Sequence, residues 1–303
     1  MLADDFACDP RNSHRAQIFN DRSHNVNIYD EHVKVDYRGE AVTAQNLIRT
    51  LTGRHVDGTL LSQRLDTGPK SNIFLYLTGH GGDGFLKFQD TLEISASDLS
   101  DAIKEMWEKK RYHEMFVMVE TCQAATMVEN IDAPNVISIA SSRRGENSYS
   151  YYNDNDLGVT LVDRFTYQTM RFFESVHIRS DGSSLETLQQ LFDSYDPRFL
   201  HSNTVVRSHG FARKPSAVPV TDFFGSVSQV APVRLQSIET RGSLFSTQLP
   251  RKNKMPPAPH RILRPPMEVP ENQKRPAISE AGLSIFGAIL ISISAIAIAA
   301  RPA

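Results

Sequence analysis

Three short runs constrain this chain most, because in each of them apolar residues follow one another without alternation. They are Ile73-Phe74-Leu75-Tyr76-Leu77-Thr78, Met115-Phe116-Val117-Met118-Val119 and Val136-Ile137-Ser138-Ile139-Ala140. A strand with one wet face alternates apolar and polar residues, so unbroken apolarity predicts strands covered on both faces, as in a parallel sheet. Between the first two runs Leu99, Ile103, Met106 and Trp107 recur at helical spacing, behind Ser97-Asp98, residues suited to cap a first turn. Strand, helix, strand is a crossover joining neighbouring parallel strands. Further helices are expected from Val42 to Leu51, ended by Gly53, and from Leu161 to Glu174, with Val162, Phe165, Met170 and Phe173 as apolar members. The predicted class is α/β, a mostly parallel sheet with helices on both faces.

In an open parallel sheet, functional groups collect just past the carboxyl ends of the strands. His80 follows the first run and Cys122 follows the second, so a crossover of this length delivers both to one rim. A thiol becomes a strong nucleophile when an imidazole takes its proton, and the same imidazole can return that proton to a departing amine. Gly81 and Gly82 beside the histidine leave room for a substrate carbonyl. The backbone N–H groups of Gly81 and Cys122 are placed to bind the oxyanion that develops there. A lone cysteine is often an inert buried hydrophobe; the joint placement with His80 favours cysteine-dependent acyl transfer.

Composition narrows the alternatives. Lys and Arg total 33 against 35 Asp and Glu, so no basic field points to nucleic acid. The only cysteines are Cys8 and Cys122, too few for a disulfide framework and without metal-binding spacing. Residues 1–240 are expected to form the catalytic domain. Residues 241–278 read as a tether, with seven prolines between positions 251 and 276. Ala281 to Ala300 carries no charge, and 279–300 is expected to be a membrane-spanning helix. Basic residues precede that run and only Arg301 follows it, which by charge alone keeps the main domain cytosolic. The opening MLADDFACDPRN has neither the basic nor the apolar part of a secretory signal.

The segments TGHGGDGFLKFQD (Thr78 to Asp90) and VETCQAATM (Val119 to Met127) resemble the two active-site signatures of glycosylphosphatidylinositol (GPI) transamidase catalytic subunits. That family lies in the legumain-like branch of the caspase-like cysteine peptidases. MLADDFACDPRN, VDYRGEAVT, LTGRH, SSRRGENSYSYYNDNDLGV, VDRFTY, SYDPR and VPVTDFFGSV extend the resemblance over most of residues 1–230. It implies that Cys122 cleaves the C-terminal attachment signal of a proprotein through a thioester, which the ethanolamine amine of a GPI glycolipid then resolves. It implies substrate contacts from Ser148, Asn147 and Glu146, and a disulfide from Cys8 to a partner subunit. It places a lumenal catalytic domain on the endoplasmic reticulum membrane, against the charge count. No organic cofactor is expected; a calcium site near VKVDY would keep Asp36, with Lys34 in place of another acid.

Family members carry a signal peptide, a strand and a helix before the segment that opens here as MLADD. The expectation is therefore a shortened form or an internal start, with central backbone groups left unpaired at about 1–3 kcal/mol each if buried. A legumain-like endopeptidase and an inactive subunit are the competing readings.

Overall fold

The computed structural model describes residues 1–29, 33–89, 91–154, 158–179, 181–224 and 296–302. In chain order its helices are α1 (Ala44–Thr52), α2 (Ala96–Glu108), α3 (Ala125–Val128), α4 (Arg164–Glu174), α5 (Leu188–Asp193) and α6 (Pro197–Leu200). Its strands are β1 (Ser71–Thr78), β2 (Gly81–Gly82), β3 (Phe85–Phe88), β4 (Leu92–Ser95), β5 (Glu114–Glu120), β6 (Val136–Ala140), β7 (Ser150–Asp154), β8 (Val159–Asp163), β9 (Val205–Arg207) and β10 (Ile296–Pro302).

The three apolar runs are β1, β5 and β6, and they pair in parallel as neighbours at the centre of a five-stranded sheet ordered β10-β1-β5-β6-β9. The flanking strands β10 and β9 run antiparallel. Successive side chains on a strand point to opposite faces, and here each face has its own core. Ile73, Leu75 and Leu77 join Met115, Val117 and Val119 beneath Leu47 and Leu51 of α1, Leu99, Ile103 and Met106 of α2, and Met127 of α3. Phe74 and Tyr76 join Phe116, Met118, Ile137 and Ile139 against Phe165 of α4, Leu191 and Phe192 of α5, and Leu200 of α6.

The helix ends follow their chemistry. Thr43 Oγ1 accepts from the Asn46 N–H at 3.0 Å, and Gly53 closes α1 in the left-handed region at φ 71°. For α2 the cap is Ser95, in a reciprocal box with Asp98, not Ser97. Strand β4 runs up to Ser95, so the first residue free to turn lies two positions earlier than the apolar spacing indicated. The helix expected from Leu161 starts instead at Arg164. Val159, Thr160 and Val162 are β-branched and are used by β8, which pairs with β7 as a hairpin.

At the other edge Ser71 through Leu77 pair with Pro302 through Ile296, so this side of β1 is not left unpaired. A strand covered on both faces needs acceptors and donors along its edges too, and β10 supplies them. The C-terminal part of the expected membrane helix, Ile296–Ala300, is therefore strand; residues 279–295 and the tether lie outside the described residues. No helix among the described residues is long and apolar enough to cross a membrane.

Candidate active site

The parallel register pairs Thr78 with Glu120, and the Gly79 N–H donates to the Glu120 carbonyl at 3.3 Å. The chain leaves both strands at the same level, and two residues later come His80, exposed, and Cys122, half-buried. The two turns touch. A Cβ at position 81 would lie 2.5 Å from Thr121 Oγ1 and 2.6 Å from the Phe85 carbonyl oxygen, so only glycine fits between the histidine turn and the cysteine turn. The hydroxyls of Thr78 and Thr121 are buried at this rim without a hydrogen-bond partner among the described residues.

The Lys87 backbone N–H donates to the His80 carbonyl at 2.8 Å, so in the β2–β3 ladder that facing pair is the bonded one. The next pair, Gly81 with Leu86, is by alternation the non-bonded one, and the Gly81 N–H points away from β3. Among the described residues the Cys122 N–H donates to no acceptor, and no hydrogen bond joins the imidazole to the sulfur. Contacts of this kind commonly tighten only when substrate closes the site.

The cysteine turn is strained and firmly tied. Gln123 has φ 55°, a left-handed backbone that costs a non-glycine residue about 1–3 kcal/mol and persists only where neighbours over-determine it. Its N–H donates to the Glu146 carbonyl at 2.8 Å, its side-chain Oε1 accepts from the Gly145 N–H at 3.0 Å, and its carbonyl accepts from Thr126 Oγ1 at 2.8 Å. Ser142 Oγ donates to the Thr121 carbonyl at 2.8 Å and accepts from the Ala124 N–H at 3.0 Å, so Cys122 sits between two residues bonded to one hydroxyl.

Two residues before Cys122, β5 ends on a buried carboxyl, Glu120, with Asp163 as its neighbour. Glu120 is 1% exposed. Its Oε2 accepts from Tyr76 Oη at 2.7 Å and from the Thr166 hydroxyl, and its Oε1 accepts from the Thr166 N–H at 3.3 Å. Burial, then the neighbouring Asp163, push the Glu120 carboxyl up to about 8, and burial pushes Asp163 up to about 6. Both carboxyls therefore favour the protonated form more than a free side chain does.

A sequence profile of the Peptidase C13 family matches residues 1–226. The chain belongs to the Peptidase C13 family. The resemblance drawn from its motifs is borne out at that level. Among its relatives, a GPI-anchor transamidase of Saccharomyces cerevisiae is 47% identical over 232 residues, covering 77% of this chain and 56% of that protein. A putative GPI-anchor transamidase of Drosophila melanogaster is 46% identical over 227 residues, 75% of this chain and 63% of the relative. A GPI-anchor transamidase of Homo sapiens is 43% identical over 230 residues, 76% and 57% respectively. The chain thus spans 56–63% of the length of these three curated relatives.

In this C13 peptidase chain the other expected residues are placed unevenly. Ser148 is half-buried and Asn147 exposed, both on the loop that leads from the Gln123 contacts into β7. The Glu146 carboxylate is engaged inside the protein, accepting from the Arg143 and Asn203 N–H groups at 3.0 and 2.8 Å and from Asn203 Nδ2 at 2.6 Å. Cys8 is exposed at the end of a short 3-10 turn, Phe6–Cys8, distant in sequence from the rest. Asp36 is exposed, and among the described residues no three acids, histidines or cysteines converge on a metal. A calcium ion needs six to eight oxygens, so the described residues around Asp36 do not fit one. Sequence reasoning missed Glu120, Asp163, Ser142 and Gln123. One signal was present: an acid closing the otherwise apolar run of β5 can be buried only with partners.

Proposed function

We propose that this chain is the catalytic part of a GPI-anchor transamidase, with Cys122 as nucleophile and His80 as its base and acid. The observation that carries the reading is the identity of 43–47% over three-quarters of the chain to relatives bearing that name. The adjacency of the two turns at one sheet rim supports it. Cys122 gives its proton to His80 and attacks the carbonyl at the attachment site of a proprotein. The oxyanion takes the N–H groups of Gly81 and Cys122. The C–N bond breaks, His80 protonates the departing amine, and the protein is held as a thioester on Sγ. The ethanolamine amine of the glycolipid then attacks, its proton passes to His80, the C–S bond breaks, and the thiol is restored. Ser148 and Asn147 are the proposed substrate contacts on the β7 side.

Partner subunits, with Cys8 exposed for an intersubunit disulfide, and a place on the endoplasmic reticulum membrane belong to the same proposal. Anchoring by the whole run Ala281–Ala300 and pairing of Ile296–Pro302 with β1 exclude one another, so the membrane-bound form would have to release β10.

The test supplies the purified chain with a peptide bearing a C-terminal attachment signal, and hydroxylamine as acceptor. Hydroxamate formation that disappears in Cys122→Ala and His80→Ala is expected. Cleavage to free acid with no hydroxamate would make the chain an endopeptidase and end the transferase reading.

A further inference from the structure

The Glu146 carboxylate lies in the protein but not idle. It closes the 143–146 turn by accepting the Arg143 N–H, and it fixes that turn to the α6–β9 connection through both the backbone and the side chain of Asn203. Burial would raise this carboxyl, yet the N–H donors of Arg143 and Asn203 hold it below the ordinary range. The same residue's carbonyl accepts from the N–H of Gln123, and the neighbouring Gly145 N–H donates to the Gln123 side-chain oxygen. Gln123 is the left-handed residue that follows the sulfur.

The geometry points to Glu146 and Asn203 as a positioning pair that fixes the direction of the Cys122 thiol by holding the strained turn behind it. The proposal rests on the reading of Cys122 as nucleophile. It gives Glu146 a role other than substrate contact: every hydrogen bond of its side chain is spent on the turn and on Asn203, and its backbone carries the result to Gln123. Freed from Asn203, the turn has no reason to present its carbonyl where Gln123 needs it. The left-handed backbone would relax and the sulfur would swing with it.

Swapping the polarity of the pair isolates this role. In Glu146→Gln the amide oxygen can still accept the two backbone N–H groups, and the Asn203 amide can turn over to give its Oδ1 to the new NH2, so this variant keeps all three bonds. In Asn203→Asp two carboxylates face each other. The double variant Glu146→Gln/Asn203→Asp restores all three bonds, with the side-chain donor and acceptor exchanged.

The readout is the rate of Cys122 alkylation by iodoacetamide across pH, in a Cys8→Ser background that leaves a single thiol. Thermal unfolding certifies that each variant is folded. Asn203→Asp is expected to slow alkylation or displace its pH profile by roughly tenfold in rate, Glu146→Gln to stay within about twofold of the parent, and the double variant to recover to within about twofold. Should Asn203→Asp fail to fold, Asn203→Ser keeps the backbone bond and removes only the side-chain bond, with the same displacement expected in smaller measure. An Asn203→Asp profile superimposable on the parent's, or a double variant no better than Asn203→Asp, overturns the proposal. An unreactive Cys122 in the Cys8→Ser parent overturns it together with the nucleophile assignment, which separates the two failures.

Discussion

Glu120 stands two residues before Cys122, and burial raises its carboxyl further than that of Asp163. Its folded value, about 8, exceeds the 4.5 of a free glutamate, as Asp163 at about 6 exceeds 3.8. The native protein therefore binds more protons than the unfolded chain across that window, and stability falls as pH rises from about 4.5 to about 8. Glu120→Gln keeps a carbonyl to accept from Tyr76 and Thr166 and cannot ionise. The variant is expected to flatten the decline, measured as thermal midpoints at about pH 5 and about pH 8. An unchanged slope would mean that the proton is held elsewhere. His80 and Cys122 were legible in the sequence because each follows a strand whose apolarity was unambiguous. Glu120, Asp163 and Ser142 were not, since what matters about them is a partner 21 to 46 residues away.

At the scale of elements, the legible parts are those with a long or unbroken apolar signature: β1, β5 and β6, and the helices α1 and α2. The hairpins were not legible. Strands β2 to β4 and β7 to β8 are two to five residues long and partly exposed, so their patterns are too short to separate from loop or helix. That difficulty moved the expected start of α4 back into β8. The β2–β3 hairpin nonetheless decides the site, because it carries Gly81 against Thr121. Gly81→Ala must displace both the Thr121 side chain and the Phe85 carbonyl. It is expected to lower acyl transfer by on the order of 10²-fold while the circular dichroism spectrum stays native; full activity would show that the two turns need not touch.

Across the whole molecule, the end of the sheet opposite the site is fastened by charge. Glu114 at the start of β5 is 2% exposed and is held by a two-pronged contact from Arg213, which also reaches Asp222 at 2.7 Å. Arg213→Met would strand the carboxylate. The loss should be about 2–3 kcal/mol in urea unfolding, less than the ~3–5 kcal/mol of a fully enclosed pair because solvent reaches part of the guanidinium. Cys122 alkylation should not change, since the fastening lies at the far end of β5; a parallel loss of thiol reactivity would contradict this division of labour.

The sheet that delivers the two turns also separates two interiors that share no side chain. Ile103 belongs to one and Ile139 to the other. Trimming each to valine costs about 0.5–1.5 kcal/mol. Because the backbone layer stands between them, the paired substitution should cost the plain sum, within about 0.5 kcal/mol. Such independence means that either half can accumulate changes without compensation from the other, and that the cysteine, fed from the layer between, is sheltered from drift on both sides.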